Sequence, residues 1–290
     1  HVTVPAGVVA QWGRTRHAPR VNVRDRAVRL SSTRWSRVRR AFPSRYLPYP
    51  VKGGWAYLSL ANSPTQLQRL LRVYEPAKFA NIARYLPPGG GFVDVGANAG
   101  DFTIWAAHVG GPATRVLSVE AEEGNAHWLR RTVQRNRLED RVTVVNAAAS
   151  DAPGEVELLV TAKNGTHSIV ESELHSAFEE FRPIRRVRIP ARPLDDLIDE
   201  AAMSRVDVVK IDVEGAEMLV LRGAPRLLSG KDALTLLIDL HFGVDIQELG
   251  ALLQGNGFSL RREQEPDVEV ASIPTGTLSV VALRPAGSAS

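Results

Sequence analysis

From residue 92 to residue 240, short uninterrupted apolar runs alternate with stretches of helical spacing, and this alternation leaves the chain few folds to choose from. Runs at 92–95, 115–119, 142–146, 206–211 and 233–240 predict strands. Stretches at 101–109, 122–138, 216–223 and 246–256 predict helices, the last closed by Gly257. Strands that lack polar alternation are covered on both faces, as in a parallel sheet with helices on each side. A run at 155–160 predicts an additional strand and 164–168 a loop. Runs at 258–262 and 278–283 predict an antiparallel pairing at the sheet edge. The expected fold class is α/β: a Rossmann-like, mostly parallel seven-stranded sheet with an antiparallel terminal strand.

Upstream the pattern is weaker. Ser63 followed by Pro64 predicts a helix over 63–73, a second helix spans 76–86, and Leu86-Pro87-Pro88-Gly89-Gly90-Gly91 breaks the chain. Short strands are expected at 21–23 and 27–30. The expected organisation is a basic N-terminal extension over 1–75, a main domain over 76–285 and a flexible tail over 286–290. Residues 1–50 hold 11 Arg and one acid, a net of +10, whereas the remaining 240 hold 25 basic and 31 acidic residues, a net of −6. Such an arm fits an anionic partner, docking on the acidic body (including a homodimer joined through the arm), or simple arginine preference, since the chain has 31 Arg and 5 Lys. The absence of cysteine excludes disulfides and thiolate metal sites. With no membrane-spanning apolar run and no secretory signal pattern, the expected location is the cytoplasm.

The first strand runs into Val93-Asp94-Val95-Gly96-Ala97-Asn98-Ala99-Gly100-Asp101, and the second ends at Glu120, 24 residues after Gly96. In open α/β sheets, ligands bind beyond the carboxyl ends of the strands, where strand order reverses. Gly96 and Gly100 let the backbone approach a ligand closely. Asp94 offers a carboxylate to an ammonium, and Glu120 one to a pair of ribose hydroxyls. A dinucleotide site wants G-x-G-x-x-G with a pyrophosphate at the helix start, where Asp101 stands instead and repels it. The set points to S-adenosylmethionine, which has no phosphate and carries a cationic sulfonium. The residues assigned to it are Asp94, Gly96, Asn98, Gly100, Glu120, Ala121, Asn146, Ala147 and Asp212. Asn146 serves either the adenine edge or a strand cap.

Over about 74–262 these motifs resemble the FkbM family of methyltransferases. The resemblance rests on Tyr74-Glu75-Pro76, the glycine loop, Glu120 and Arg192-Pro193-Leu194-Asp195-Asp196-Leu197. Above all it rests on Val209-Lys210-Ile211-Asp212-Val213-Glu214-Gly215-Ala216-Glu217 followed by Leu221-Arg222-Gly223-Ala224. The resemblance implies a class I methyltransferase fold, S-adenosylmethionine as donor, and a hydroxyl on a small metabolite or sugar as acceptor. The chain departs from that pattern at Asp239, where a Glu is expected, and in the Arg-rich arm.

A hydroxyl acceptor must lose a proton, which calls for a base or a metal. Asp212 ends the fourth strand and either joins the active site or orders the turn; Glu214 and Glu217 open the next helix. His241 is the side chain suited to general-base work near neutral pH, with His167 a second base or an acceptor-binding residue. The expected catalytic residues are therefore Asp212, His241 and His167. No metal is assigned; Asp212, Asp239 and His241 are the ligand set should a divalent cation bind. Lys210, inside its strand, is expected to pair with a nearby acid. Asp212-Val213-Glu214-Gly215 stands where amino-methylating nucleic-acid enzymes carry Asn/Asp-Pro-Pro-aromatic, so nucleic acid is not the expected partner. RNA O-methylation through the basic arm, and cofactor binding without turnover, stand as the alternatives.

Overall fold

A computed structural model of the chain describes residues 46–59, 74–161, 166–170, 182–241, 243–274 and 276–287. The strands expected at 21–23 and 27–30, the helix at 63–73 and most of the basic arm lie outside the described residues, as does any docking role of that arm. A hairpin, β1 (Tyr46–Val51) and β2 (Gly54–Ser59), opens the described chain and is followed by helix α1 (Pro76–Tyr85).

Then come β3 (Gly91–Val95), α2 (Asp101–Val109), β4 (Arg115–Glu120), α3 (Glu123–Arg135) and β5 (Val142–Asn146), close to the expected boundaries. Next are β6 (Ala148–Ser150), β7 (Gly154–Thr161), β8 (Pro183–Pro193), α4 (Leu194–Glu200), β9 (Val208–Ile211), α5 (Glu217–Arg222) and α6 (Pro225–Ser229). The chain closes with β10 (Leu234–Asp239), α7 (Ile246–Gly255), β11 (Ser259–Arg262), β12 (Glu265–Val270) and β13 (Ser279–Arg284).

The main sheet runs β12-β11-β13-β10-β9-β3-β4-β5. Its β10-β9-β3-β4-β5 part is parallel, and β13, β11 and β12 pair antiparallel. The sheet thus has eight strands rather than seven. The extra one, β12, is an edge strand of sequence Glu-Pro-Asp-Val-Glu-Val whose residues are mostly exposed, so it lacks the apolar run that marks a covered strand.

Burial on both faces explains the apolar runs. Successive residues of one strand enter opposite cores: Phe92, Val208, Leu237 and Val281 join α1, α2 and α3 on one side. Val93, Val209, Leu236 and Val280 join α4, α5, α6 and α7 on the other. Apolar residues on both faces of the same strand are what a sheet sandwiched between helices requires.

A second sheet has the order β6-β8-β7. Asp195, in the Arg192–Leu197 motif, has a structural part here: its carboxylate accepts from the backbone N–H groups of Arg226 and Leu227, capping α6.

The hairpin, expected to belong to the extension, packs on α2 and α3. The Tyr49 hydroxyl donates to Asp101 at 2.5 Å, the first residue of α2. The backbone N–H of Trp55 donates to Asn136 Oδ1 at 2.9 Å, and the Tyr46 ring stacks on Trp128 at 4.4 Å. Among the described residues, no helix is long and apolar enough to cross a membrane.

Candidate active site

The strand order reverses at β3, whose neighbours are β4 on one side and β9 on the other. A cavity of about 330 Å³ opens there, over the carboxyl ends of β3, β4, β9 and β10. Ala147 to Ala149, Leu158, His167 and Ile169 are among its lining residues, as are Tyr74 and Glu75. The size falls within the roughly 300–1,000 Å³ of small-molecule sites.

Gly96 turns out of β3 with φ 74°, a left-handed conformation, and a Cβ there would lie 1.9 Å from the carbonyl oxygen of Asp212. Glycine is therefore the residue that lets β3 and β9 end side by side. Of the residues assigned to the cofactor, Gly96, Asn98, Glu120, Ala121, Ala147 and Asp212 line the cavity.

Asp94, Gly100 and Asn146 do not. Asp94 is fully buried, accepts from the Thr103 hydroxyl at 2.7 Å and faces Lys210 Nζ at 3.3 Å. Its carboxylate is engaged by Lys210, whose ammonium also holds the Gly96 carbonyl of the glycine turn. Gly100 packs against Leu129, and Asn146 donates to the carbonyls of Glu120 and Ala121 at 2.8 and 3.0 Å, the strand-cap arrangement.

Glu120 sits at the tip of β4 with its side chain turned back over the glycine loop. Oε2 accepts from the backbone N–H of Asn98 at 2.8 Å and Oε1 from that of Glu122 at 2.9 Å. Burial pushes the carboxyl up to about 7, against the pull of those N–H groups and of Asn125.

Lys210 does pair with acids, as its place in an apolar strand implied. Its ammonium lies 3.3 Å from Asp94 and 3.6 Å from Asp212, and donates to the Gly96 carbonyl at 2.7 Å. Burial opposes its charge, but the two carboxylates hold its pKa above the ordinary value. In turn, although burial favours the neutral acid, Lys210, His241 and Lys78 hold Asp212 below the ordinary carboxylate range.

Asp239 does not join Asp212 and His241. It is ion-paired to Lys78, a residue of α1 that is 1% exposed and also contacts Glu75 at 2.9 Å. Burial, with Asp212 and Glu75 nearby, raises Asp239 to about 7 despite that ammonium. Glu214 takes the place expected of Asp239: His241 Nε2 lies 3.5 Å from Glu214 and 3.6 Å from Asp212. Its other ring nitrogen, Nδ1, lies 2.6 Å from Glu217.

Burial opposes a charge on His241, yet the Glu217 hydrogen bond and the carboxylates of Glu214 and Asp212 raise it to about 10. In this arrangement the ring is an imidazolium at neutral pH. It donates protons rather than accepting them, contrary to the general-base expectation.

Lys78 and its ion pairs with Glu75 and Asp239 were missed, as was the hold of Glu217 on His241. The available signal was Tyr74-Glu75-Pro76 with a lysine two residues on, but nothing in its spacing pointed to β10. His167 lines the cavity and accepts from the backbone N–H of Thr161 at Nδ1, 3.2 Å away. Nε2 therefore carries the proton. Burial lowers its pKa, so the ring is a neutral donor.

The chain matches the methyltransferase FkbM domain family over residues 94–260, more than half its length and from β3 through β11. It is similar to the 31-O-demethyl-FK506 methyltransferase FkbM of Streptomyces tacrolimicus, at 28% identity over 214 residues that cover 62% of this chain and 77% of that protein. It is also similar, at 28% identity over 222 residues, to the AMB antimetabolite synthetase AmbE of Pseudomonas aeruginosa, covering 63% of this chain but 10% of that protein. Among solved structures, the methyltransferase FkbM from Methylobacillus flagellatus KT aligns with a TM-score of 0.46 at 18% identity, over 75% of this chain and 65% of that chain, slightly under two thirds of its length. By the extent of the family match, this chain belongs to the FkbM family of methyltransferases.

Proposed function

We propose that this chain transfers the methyl group of S-adenosylmethionine to a hydroxyl of a small molecule, the donor lying across the tips of β3 and β4 and the acceptor beside Asp212. S-adenosylmethionine supplies an electrophilic methyl group on a cationic sulfur. The observation that carries the reading is the acidity of the cavity. Glu75, Asp101, Glu120, Asp212, Glu214 and Asp239 line it against two cationic side chains, Lys210, which is bound to the Gly96 carbonyl, and His241, which is bound to Glu217. Such walls repel a pyrophosphate and favour a cationic ligand.

The residues fit that donor. Glu120 presents two carboxylate oxygens at a buried strand tip, suited to a pair of ribose hydroxyls. Gly96, whose left-handed turn brings bare backbone to the cavity, gives a methionine chain a surface to lie along. Ala121, Ala147, Ala148 and Leu158 give an apolar slot for a purine, with the Nε2–H of His167 as a donor at its rim. On the acceptor side, Asp212 is held ionised and accepts the hydroxyl's hydrogen bond, orienting its oxygen in line with the methyl. His241, fixed by Glu217, supplies positive charge beside the oxygen.

The hydroxyl preference is supported by the S. tacrolimicus relative, whose name makes it a methyltransferase of 31-O-demethyl-FK506. The working unit we assign is 74–287 together with the 46–59 hairpin. Isothermal titration of the full chain with S-adenosylhomocysteine tests the reading. One site per chain is expected, weakened about 30-fold or more in Glu120→Ala, on the order of two charge-assisted hydrogen bonds. Binding of NAD in preference to S-adenosylhomocysteine rejects it.

A further inference from the structure

We infer that Asp212, Glu214 and His241 form a site for a divalent transition-metal cation; its role in catalysis, though not its existence, rests on the methyltransferase reading above. The three residues come from two strand ends, Asp212 and Glu214 following β9 and His241 following β10, and all three line the cavity. One ligand atom from each lies within 4.8 Å of the others.

The separations are informative. His241 Nε2 stands 3.6 Å from Asp212 Oδ1 and 3.5 Å from Glu214 Oε2. Both exceed the 2.7–3.2 Å of a direct N–H···O bond. They match the edges of a coordination polyhedron: bonds of roughly 2.0–2.2 Å to one cation put tetrahedral ligands about 3.4 Å apart.

A residue outside the trio supplies the second observation. The remaining ring nitrogen of His241, Nδ1, is 2.6 Å from Oε1 of Glu217, which has no solvent exposure. A metal-binding histidine almost always gives its other nitrogen to such a carboxylate, which fixes the tautomer and aims the free nitrogen at the metal. The cation takes the place of the Nε2 proton. Glu214 is held in position by its own backbone, whose carbonyl accepts from the Ser168 hydroxyl at 2.7 Å.

One imidazole and two carboxylates form a mixed nitrogen and oxygen set, which suits Mn²⁺ or Zn²⁺ better than Mg²⁺ or Ca²⁺. Three protein ligands leave open positions, the mark of a catalytic rather than a structural site. There the acceptor hydroxyl binds and becomes more acidic. Its proton leaves to solvent water as its oxygen forms the new bond to carbon, the donor's sulfur–carbon bond breaks, and that electron pair returns to sulfur.

Mn²⁺ titration of the full chain, stripped with EDTA and followed by electron paramagnetic resonance without donor or acceptor, tests the site independently of the methyltransferase reading. One Mn²⁺ per chain is expected. Glu214→Gln and His241→Ala should each weaken it at least tenfold, Glu217→Gln by about 10-fold through the outer shell, and the exposed Asp267→Asn not at all. Far-ultraviolet circular dichroism establishes that each variant is folded. Absence of stoichiometric uptake at millimolar Mn²⁺ overturns the site. So does equal uptake by wild type and the folded Glu214→Gln and Glu217→Gln variants.

Discussion

Nδ1 of His241 lies 2.6 Å from Oε1 of Glu217, a carboxylate with no solvent exposure that begins the helix after β9. Two separate strands thus meet in one hydrogen bond. Glu217 raises the proton affinity of the ring most, with the more distant cavity acids Glu214 and Asp212 adding to it.

Removing that charge while keeping the shape isolates its effect. In metal-free Glu217→Gln, the His241 ring should titrate below the wild-type value of about 10, toward the ordinary histidine range. The sign is set by the partner: a carboxylate favours the imidazolium, and an amide does not. Ring-nitrogen NMR over pH 5–11 reads it, and an unchanged titration contradicts the dyad.

Lys210 gives a stability prediction. It is buried between Asp94 and Asp212, so Lys210→Met leaves two carboxylates without their cation. The expected loss is about 3–5 kcal/mol in urea unfolding. Lys210→Met combined with Asp94→Asn should recover part of it, because the fully buried acid is then neutral. Additive losses in the double variant argue against a coupled pair.

Gly96→Ala tests the packing of the two central strand ends. The new Cβ meets the Asp212 carbonyl in a backbone conformation that alanine resists, so a loss of roughly 2–4 kcal/mol is expected. S-adenosylhomocysteine affinity should fall with it. A variant with wild-type stability contradicts the close approach of β3 and β9.

Glu120 makes donor affinity depend on pH. Burial raises its pKa from an ordinary 4.5 to about 7, so the carboxylate fills with a proton as pH falls through 7. If ionised oxygens hold the ribose, S-adenosylhomocysteine affinity should fall by up to about tenfold per pH unit below that point and level off above pH 8. Glu120→Gln should flatten the profile between pH 5.5 and 8.5. An equally sloped profile in that variant assigns the effect to another group.

The parallel core was legible because apolar residues occupy both faces of its strands instead of alternating with polar ones, as burial on both sides requires. The boundaries of α2 and β5 followed from the turns flanking them. Edge strand β12 was not legible: its solvent-facing Glu265, Asp267 and Glu269 leave no apolar pattern. Nor was β8, whose arginines cover an exposed face.

At the site, spacing along one βαβ unit was enough to place Gly96 and Glu120 on the cavity. The exchange of Asp239 for Glu214 could not be read that way, because it depends on α1 bringing Lys78 across the sheet end to claim Asp239. That is a contact between residues 161 apart in the chain. Histidine protonation was equally hidden, since neighbours from other strands set it.

The central claim is that the cavity over β3 and β4 holds a sulfonium nucleoside gripped through Glu120. A crystal structure of the full chain grown with S-adenosylhomocysteine measures this directly. Both ribose hydroxyls are expected within hydrogen-bonding distance of the Glu120 carboxylate, with the homocysteine chain along Gly96 and the sulfur facing Asp212. A ligand seated elsewhere, or a ribose turned away from Glu120, contradicts it.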